Sequence, residues 1–276
     1  MMTIREYKRA ESLEEAWQLN QKKANRILGG MIWLKMETIN VGTAIDLSGL
    51  GLDTIEETDV GFSIGAMVTL RQLETHPGLE AFTHGAVREA LRHIVGVQLR
   101  NLATVGGSIY SRFGFSDVLT LFLAMDCSVE LYKGGIVPLR EYAERPYDRD
   151  IVVRLLVRKE AADYCYQSVR NSQTDIPVLT CAAARLQDGS YRVLCSTNVE
   201  KMFDYFDEEV ELDATTVNGW VVLQLDKLPA AGDTFSYRAG NKIFNGRVIQ
   251  ADDRKAIEIN LRVEEAPEEN NNGKGN

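Results

Sequence analysis

Apolar positions in this chain come in short blocks whose period switches between helix and strand. Leu13, Ala16, Trp17 and Leu19 fall on one side of a helix. Ser12 and Glu15 stand ahead of them at capping-box spacing, each able to satisfy the other's backbone donor. Residues 12–24 are therefore predicted to form a short amphipathic helix. Residues 26–28, 43–47 and 61–66 read as strands, with small-residue turns between them. Thr69 is placed to cap a helix over 69–74, and 86–95 reads as another, with Ala90, Leu91 and Ile94 inward. Asp117 heads the run 118–125, which is apolar nearly all round and so predicts a buried helix. Residues 128–132 and 135–138 form a predicted hairpin, 150–157 and 164–169 alternate as strands, and 178–186 pairs with 191–195 across Gln187-Asp188-Gly189-Ser190.

The pattern changes further on. Residues 204–213 are acidic and aromatic with little periodicity, which reads as linker. Thr215-Thr216 then caps a predicted helix over 217–225, Pro229 ends it, and three strands follow at 234–238, 242–250 and 256–264. The last ten residues are Glu, Asn and Gly with one Pro and one Lys, a composition that predicts disorder. The expected organisation is a large domain over 1–199, an acidic linker over 200–212, a small α+β domain over 213–266 and a tail over 267–276. Strands and short helices alternate without a regular βαβ rhythm and without Gly-x-Gly-x-x-Gly, so the predicted class is α+β and not a Rossmann fold.

Charge and composition narrow the function. Residues 200–276 hold 16 acidic and nine basic residues and so carry most of the net charge of −9. No basic stripe remains to hold a phosphate backbone, which argues against nucleic acid. Cys127, Cys165, Cys181 and Cys195 stand singly, with no Cys-x-x-Cys pair for zinc or an iron–sulfur cluster. They read as buried reduced thiols. His76, His84 and His93 are not at ligand spacing with a cysteine or carboxylate, so no metal is expected. The first residues lack the apolar core of a signal peptide, and no apolar run reaches the ~18–20 residues of a membrane helix. A soluble, cytoplasmic protein without membrane insertion is the expectation.

Two glycine pairs carry the candidate chemistry: Leu28-Gly29-Gly30-Met31-Ile32-Trp33 and Thr104-Val105-Gly106-Gly107-Ser108. Each sits between apolar runs, where strands are expected to end. A glycine pair there lets the backbone turn with positive φ and present bare N–H groups. Two such turns, the second followed by 111–117 and an apolar helix, suggest two loops gripping one diphosphate. Asp117 at the head of that helix reads equally well as a helix N-cap.

Residues 28–94, Arg100-Asn101-Leu102-Ala103-Thr104-Val105-Gly106-Gly107-Ser108 and Ser116-Asp117-Val118-Leu119 resemble the FAD-binding domain of molybdenum hydroxylase flavoproteins. That family includes the medium subunits of xanthine dehydrogenase and carbon monoxide dehydrogenase. The resemblance spans roughly residues 4–186. It implies that both glycine loops, residues 28–33 and 104–108, cradle the FAD pyrophosphate through backbone N–H groups, with hydroxyls of Thr104 and Ser108 adding donors. It places Asp117 on the FAD side, where a carboxylate would meet a ribityl or adenosine hydroxyl rather than a phosphate. Arg100 either counters the phosphates or fixes the loop, the second being favoured. No residue stands out as an acid–base catalyst, and a flavoprotein needs none. The implied role is electron transfer between an iron–sulfur partner and NAD or another acceptor, alongside molybdopterin-binding and iron–sulfur subunits.

Three departures qualify the resemblance. Met31-Ile32 replaces the polar pair common in the first loop. Gln167 stands where a lysine near the flavin is often found. The family's second domain is expected to stop after its first hairpin, 178–195. From about Asp207 the chain resembles the transporter-associated domain of the CorC/HlyC family, through 213–221, 228–233 and 251–259. The overall expectation is an FAD-binding fold of two α+β subdomains with a second small α+β domain. A flavin-free regulatory module or a chimeric fusion is the alternative.

Overall fold

In the computed structural model, residues 1–186 and 189–266 are described. Residues 187–188, where a turn is expected, and 267–276, the tail expected to be disordered, lie outside them. The chain divides into two units, Met1–Ala182 and Ala183–Asn276.

The first unit begins with β1 (Thr3–Arg9), α1 (Leu13–Asn20), β2 (Arg26–Leu28) and β3 (Asn40–Asp46). Both β1 and β2 pair with β3 in parallel, so these strands form a small sheet in the order β1-β3-β2. Ser12 caps α1 as predicted, accepting from the Glu15 amide at 3.1 Å. Strand β1 is absent from the prediction because it does not alternate. Its sequence, Thr-Ile-Arg-Glu-Tyr-Lys-Arg, is exposed at six of seven positions. Parallel pairing with β3, not burial of a face, makes it a strand.

Strands β4 (Ile55–Glu57) and β5 (Gly61–Gly65) open a second sheet. Six short helices follow: α2 (Leu70–Thr75), α3 (Pro77–Phe82), α4 (Ala86–Leu91), α5 (Val97–Arg100), α6 (Val105–Ser111) and α7 (Asp117–Leu123). The chain then returns through β6 (Cys127–Leu131), β7 (Gly135–Pro138), α8 (Leu139–Glu144) and β8 (Val152–Arg158). The sheet is antiparallel, in the order β4-β5-β8-β6-β7, and includes the predicted β6–β7 hairpin. Strand β9 (Ala162–Val169) and the start of β10 (Leu179–Leu186) complete this unit.

The second unit takes in the rest of β10, then β11 (Ser190–Leu194), α9 (Val199–Tyr205), α10 (Val217–Leu225), β12 (Thr234–Ala239), β13 (Lys242–Ala251) and β14 (Ala256–Glu265). Two expectations are corrected here. The boundary falls at 182/183 rather than 199, and the expected linker over 200–212 contains most of a helix. Asn198 caps α9, and Val199, Met202, Phe203 and Phe206 turn one face into the core. Acidic residues between them hide that i, i+3, i+4 spacing. The core is aromatic: Trp220 lies edge-on to Phe203 at 5.2 Å and to Phe235 at 5.0 Å. Strand β11 pairs with β14 over five residue pairs, from Ser190↔Arg262 to Leu194↔Glu258, so the C-terminal strands cover its edge.

All four cysteines are free thiols. Burial pushes Cys181 up to about 11 and Cys195 up to about 12, which keeps both as neutral thiols at physiological pH.

Candidate functional site

A cavity of about 660 Å³ opens in the first unit, a size ordinary for a cofactor. Two segments far apart in sequence meet on its wall. One is the loop that leaves β2, residues 28–33. The other is the start of α6 with its cap, from which Thr104, Gly106, Gly107 and Ser108 line the cavity. Asp117 lines it too. Val105, the remaining predicted site residue, does not: it is fully buried.

The two glycine pairs do different work from that predicted. None of the four glycines has positive φ; in the first loop the left-handed position is taken by Met31, at φ 57°. The second pair does not end a strand but lies in the first turn of α6, where Thr104 is the cap and accepts from the Gly107 amide at 3.2 Å. Close approach explains the glycines instead. A Cβ on Gly30 would sit 1.9 Å from the Leu102 carbonyl oxygen, and one on Gly106 would sit 2.7 Å from Ala66. Gly29 and Gly107 face each other across Thr104. A Cβ on Gly29 would reach to 4.0 Å of the Gly107 Cα, and one on Gly107 would meet only Thr104 Oγ1, at 3.1 Å. Around Gly107 the space beyond is open cavity.

The supply of donors is correspondingly uneven. In the second segment the Val105 amide bonds Val68 O at 2.8 Å, Gly106 bonds Ala66 O at 2.8 Å, and Ser108 bonds Thr104 O at 3.1 Å. The first two N–H groups are spent on docking 103–106 against 66–70 and the third inside α6, contrary to the expectation that they face a diphosphate. In the first loop the amides of Gly29, Gly30, Met31, Ile32 and Trp33 donate to no acceptor among the described residues. Successive unspent N–H groups of this kind form an anion-binding concavity. The three cationic residues on the wall, Arg26, Arg149 and Arg170, are all engaged with this chain. Arg26 bonds Lys23 O and Asn25 O at 2.5 and 2.9 Å. Arg149 bonds Lys22 O and Asn25 O, both at 2.9 Å. An anionic ligand would thus meet main-chain N–H groups and the hydroxyls of Thr104 and Ser108.

Arg100 is buried beneath the second segment. Its guanidinium bonds both oxygens of buried Glu74, at 2.8 and 3.3 Å, and the Ile94 carbonyl at 3.0 Å. These bonds tie the end of α5, just ahead of residues 104–108, to α2 and to Ile94. Asp117 is not the helix cap; Ser116 is, accepting from the Leu119 amide at 3.2 Å. The Asp117 carboxylate instead accepts from Tyr166 Oη at 2.5 Å and from Arg170. Burial raises its pKa above the usual carboxylate range, with both partners opposing the shift.

Some lining residues escape sequence reasoning. Phe113 and Phe115 join the predicted Trp33 in one aromatic cluster on the wall, with Trp33 edge-on to Phe113 at 5.4 Å and Phe113 stacked on Phe115 at 5.0 Å. Val95 also lines the cavity with a left-handed backbone, φ 49°, which is strained for a β-branched residue. The signal for the cluster is present in Phe113-Gly114-Phe115, but nothing local couples it to Trp33. Among the described residues no group of His, Cys, Asp or Glu is arranged to hold a metal ion. None of the described helices is long and apolar enough to cross a membrane.

Residues 2–159 match the family described as the FAD binding domain in molybdopterin dehydrogenase. The chain belongs to that family. FAD is accordingly its cofactor, and the cavity fits it: Gly107 faces open space that a side chain would fill, and the adjacent loop offers unspent N–H donors. Residues 184–265 match a second family, the transporter associated domain. The uncharacterized protein YgfM of Escherichia coli K12 is 25% identical over 210 residues, 75% of this chain and 79% of that one. The aldehyde oxidoreductase FAD-binding subunit PaoB of Escherichia coli K12 is 37% identical over 93 residues, 32% of this chain and 29% of that one. Carbon monoxide dehydrogenase from Hydrogenophaga pseudoflava shares the fold, with a TM-score of 0.62 at 24% identity over 70% of this chain and 74% of that one.

Proposed function

We propose that this FAD-binding chain is the electron-transfer subunit of a molybdenum hydroxylase-type complex, relaying electrons between an iron–sulfur partner and NAD or another acceptor. The observation that carries the proposal is the meeting of the Gly29 and Gly107 segments on one cavity wall, beside five amides that donate to no acceptor among the described residues. Such a site binds and orients; bound FAD supplies the one- and two-electron chemistry. Residues 29–33 would hold the diphosphate by N–H donation, Thr104 and Ser108 would add hydroxyl donors, and the aromatic cluster would exclude water from one wall. PaoB is the FAD-binding subunit of its enzyme, and carbon monoxide dehydrogenase is an enzyme of the molybdenum cofactor, which supports a molybdenum-containing partner for this chain.

The full chain, tagged and isolated from its native cells, is expected to bring down partner polypeptides with stoichiometric molybdenum and iron by elemental analysis. Anaerobic NADH should bleach the visible flavin band if NAD is the acceptor. A chain that carries FAD but comes down alone and free of both metals would contradict the relay.

A further inference from the structure

The segment joining β9 to β10 forms part of the cavity wall through Thr174, Asp175, Ile176 and Pro177. It is closed at its base by the Val178 amide on Val169 O, at 2.8 Å. Within it the Asp175 amide bonds Ser172 O at 3.1 Å, and the Ile176 amide bonds Asp175 Oδ1 at 2.8 Å. These bonds shape the loop but do not tie it to the rest of the wall. Arg170 does. Its Nη1 donates to Asp175 O at 2.6 Å, its Nε to Ser168 Oγ at 3.2 Å, and its Nη2 to the Asp117 carboxylate on α7. The Arg170 and Asp117 side chains are each only 6% exposed. Tyr166, buried on β9, gives the same Asp117 oxygen a second donor. The loop's own outer surface is exposed, Ile176 at 49% and Val178 at 67%. Of the loop only Pro177 is buried, so apolar burial holds residues 171–176 little, and a buried, multiply bonded guanidinium supplies what burial does not.

We propose that Arg170 is a positioning residue: fastened to Asp117, it holds residues 174–177 as a wall of the flavin cavity and so sets how fast FAD leaves. On this account Asp117 serves the site as an anchor for Arg170 and not as a ligand of the cofactor. The inference rests on the flavin reading of the cavity.

Three variants test it: Arg170→Gln, Asp117→Asn and the two combined. In each, FAD should dissociate faster by on the order of tenfold. Amide hydrogen exchange of residues 171–176 should speed up, while exchange elsewhere in the first unit stays as in the unaltered protein. Because both side chains act through one contact, the double variant should be no worse than either single one. Tyr166→Phe deletes one donor and keeps the ring; it should shift both measurements less, in the same direction, and it serves if the charge variants do not fold. Unchanged loop exchange in Arg170→Gln would overturn the proposal. So would an Asp117→Asn effect on FAD that adds to that of Arg170→Gln, which is the behaviour of a direct ligand. The exchange measurement needs no flavin. If the unaltered chain takes up no FAD, the flavin reading fails by that result, while loop exchange still decides whether Arg170 clamps the segment.

Discussion

Gly107→Val is expected to yield a folded protein that has lost FAD. The new side chain would start 3.1 Å from Thr104 Oγ1 and otherwise project into open cavity, so little of the protein has to move. The helix is not at risk, since the Gly107 amide keeps its bond to Thr104 and valine is a better helix former than glycine. What the side chain takes is the space beside Gly29, where the first loop's amides converge. FAD affinity should fall by at least about 100-fold, equivalent to roughly 2.7 kcal/mol. Equilibrium dialysis or flavin fluorescence titration measures the affinity, and the melting temperature checks the fold. Gly30 would be a poor choice for this test. A Cβ there strikes the Leu102 carbonyl at 1.9 Å, so lost binding could not be separated from a displaced loop. Full FAD affinity in a folded Gly107→Val protein would remove this segment from the site.

Arg100→Ala should be the most destabilising of the changes considered, because it leaves Glu74 buried with its main partner gone. Breaking a buried pair from one side costs about 3–5 kcal/mol. For a unit of this size, that lowers the melting temperature by roughly 10 °C. The dependence on pH has a definite sign. Burial alone would raise the pKa of Glu74, but the bonds from Arg100 and Arg71 outweigh it and hold the carboxyl below its usual 4.5. A depressed carboxyl stabilises the fold above its unfolded pKa, and that contribution fades as pH falls through the folded value. In the variant only Arg71 is left to oppose burial, so the carboxyl's pKa rises and protonation relieves part of the defect. The melting-temperature gap between Arg100→Ala and the unaltered protein should therefore be widest near neutral pH and narrow below about pH 4. A constant gap across that range would mean that lost packing, not the ion pair, accounts for the change. Since Arg100 also bonds Ile94 O next to strained Val95, weaker FAD binding should accompany the loss of stability.

Much of this was legible in the sequence because local rules fix it. Ser12, Thr69 and Thr216 cap the helices they were predicted to cap, and the α+β class follows from the mix of periods. The two glycine segments do meet on one cavity wall. Their conformations were not legible, since a glycine pair signals close approach as well as positive φ. Only the tertiary contacts of Gly30 with Leu102, and of Gly106 with Ala66, tell the two apart. The same holds for the amides: whether an N–H is spent depends on what 66–70 places opposite it. Strand β1 and helix α9 escaped prediction for opposite reasons, one lacking an apolar face and the other hiding it among acidic residues. The partners of Asp117 lie 49 and 53 residues further along, beyond any local pattern. The pairing of β11 with β14, which ties residues 190–194 into the C-terminal strands, likewise lay beyond any local pattern.

The most direct test of the account is the molar ratio of FAD to polypeptide in the purified full-length chain, from its visible spectrum and from the cofactor released on denaturation. A flavin spectrum and about one FAD per chain, either as isolated or after reconstitution, is the predicted result. A colourless protein that takes up no FAD would contradict the claim that the Gly29–Gly107 cavity is a flavin site.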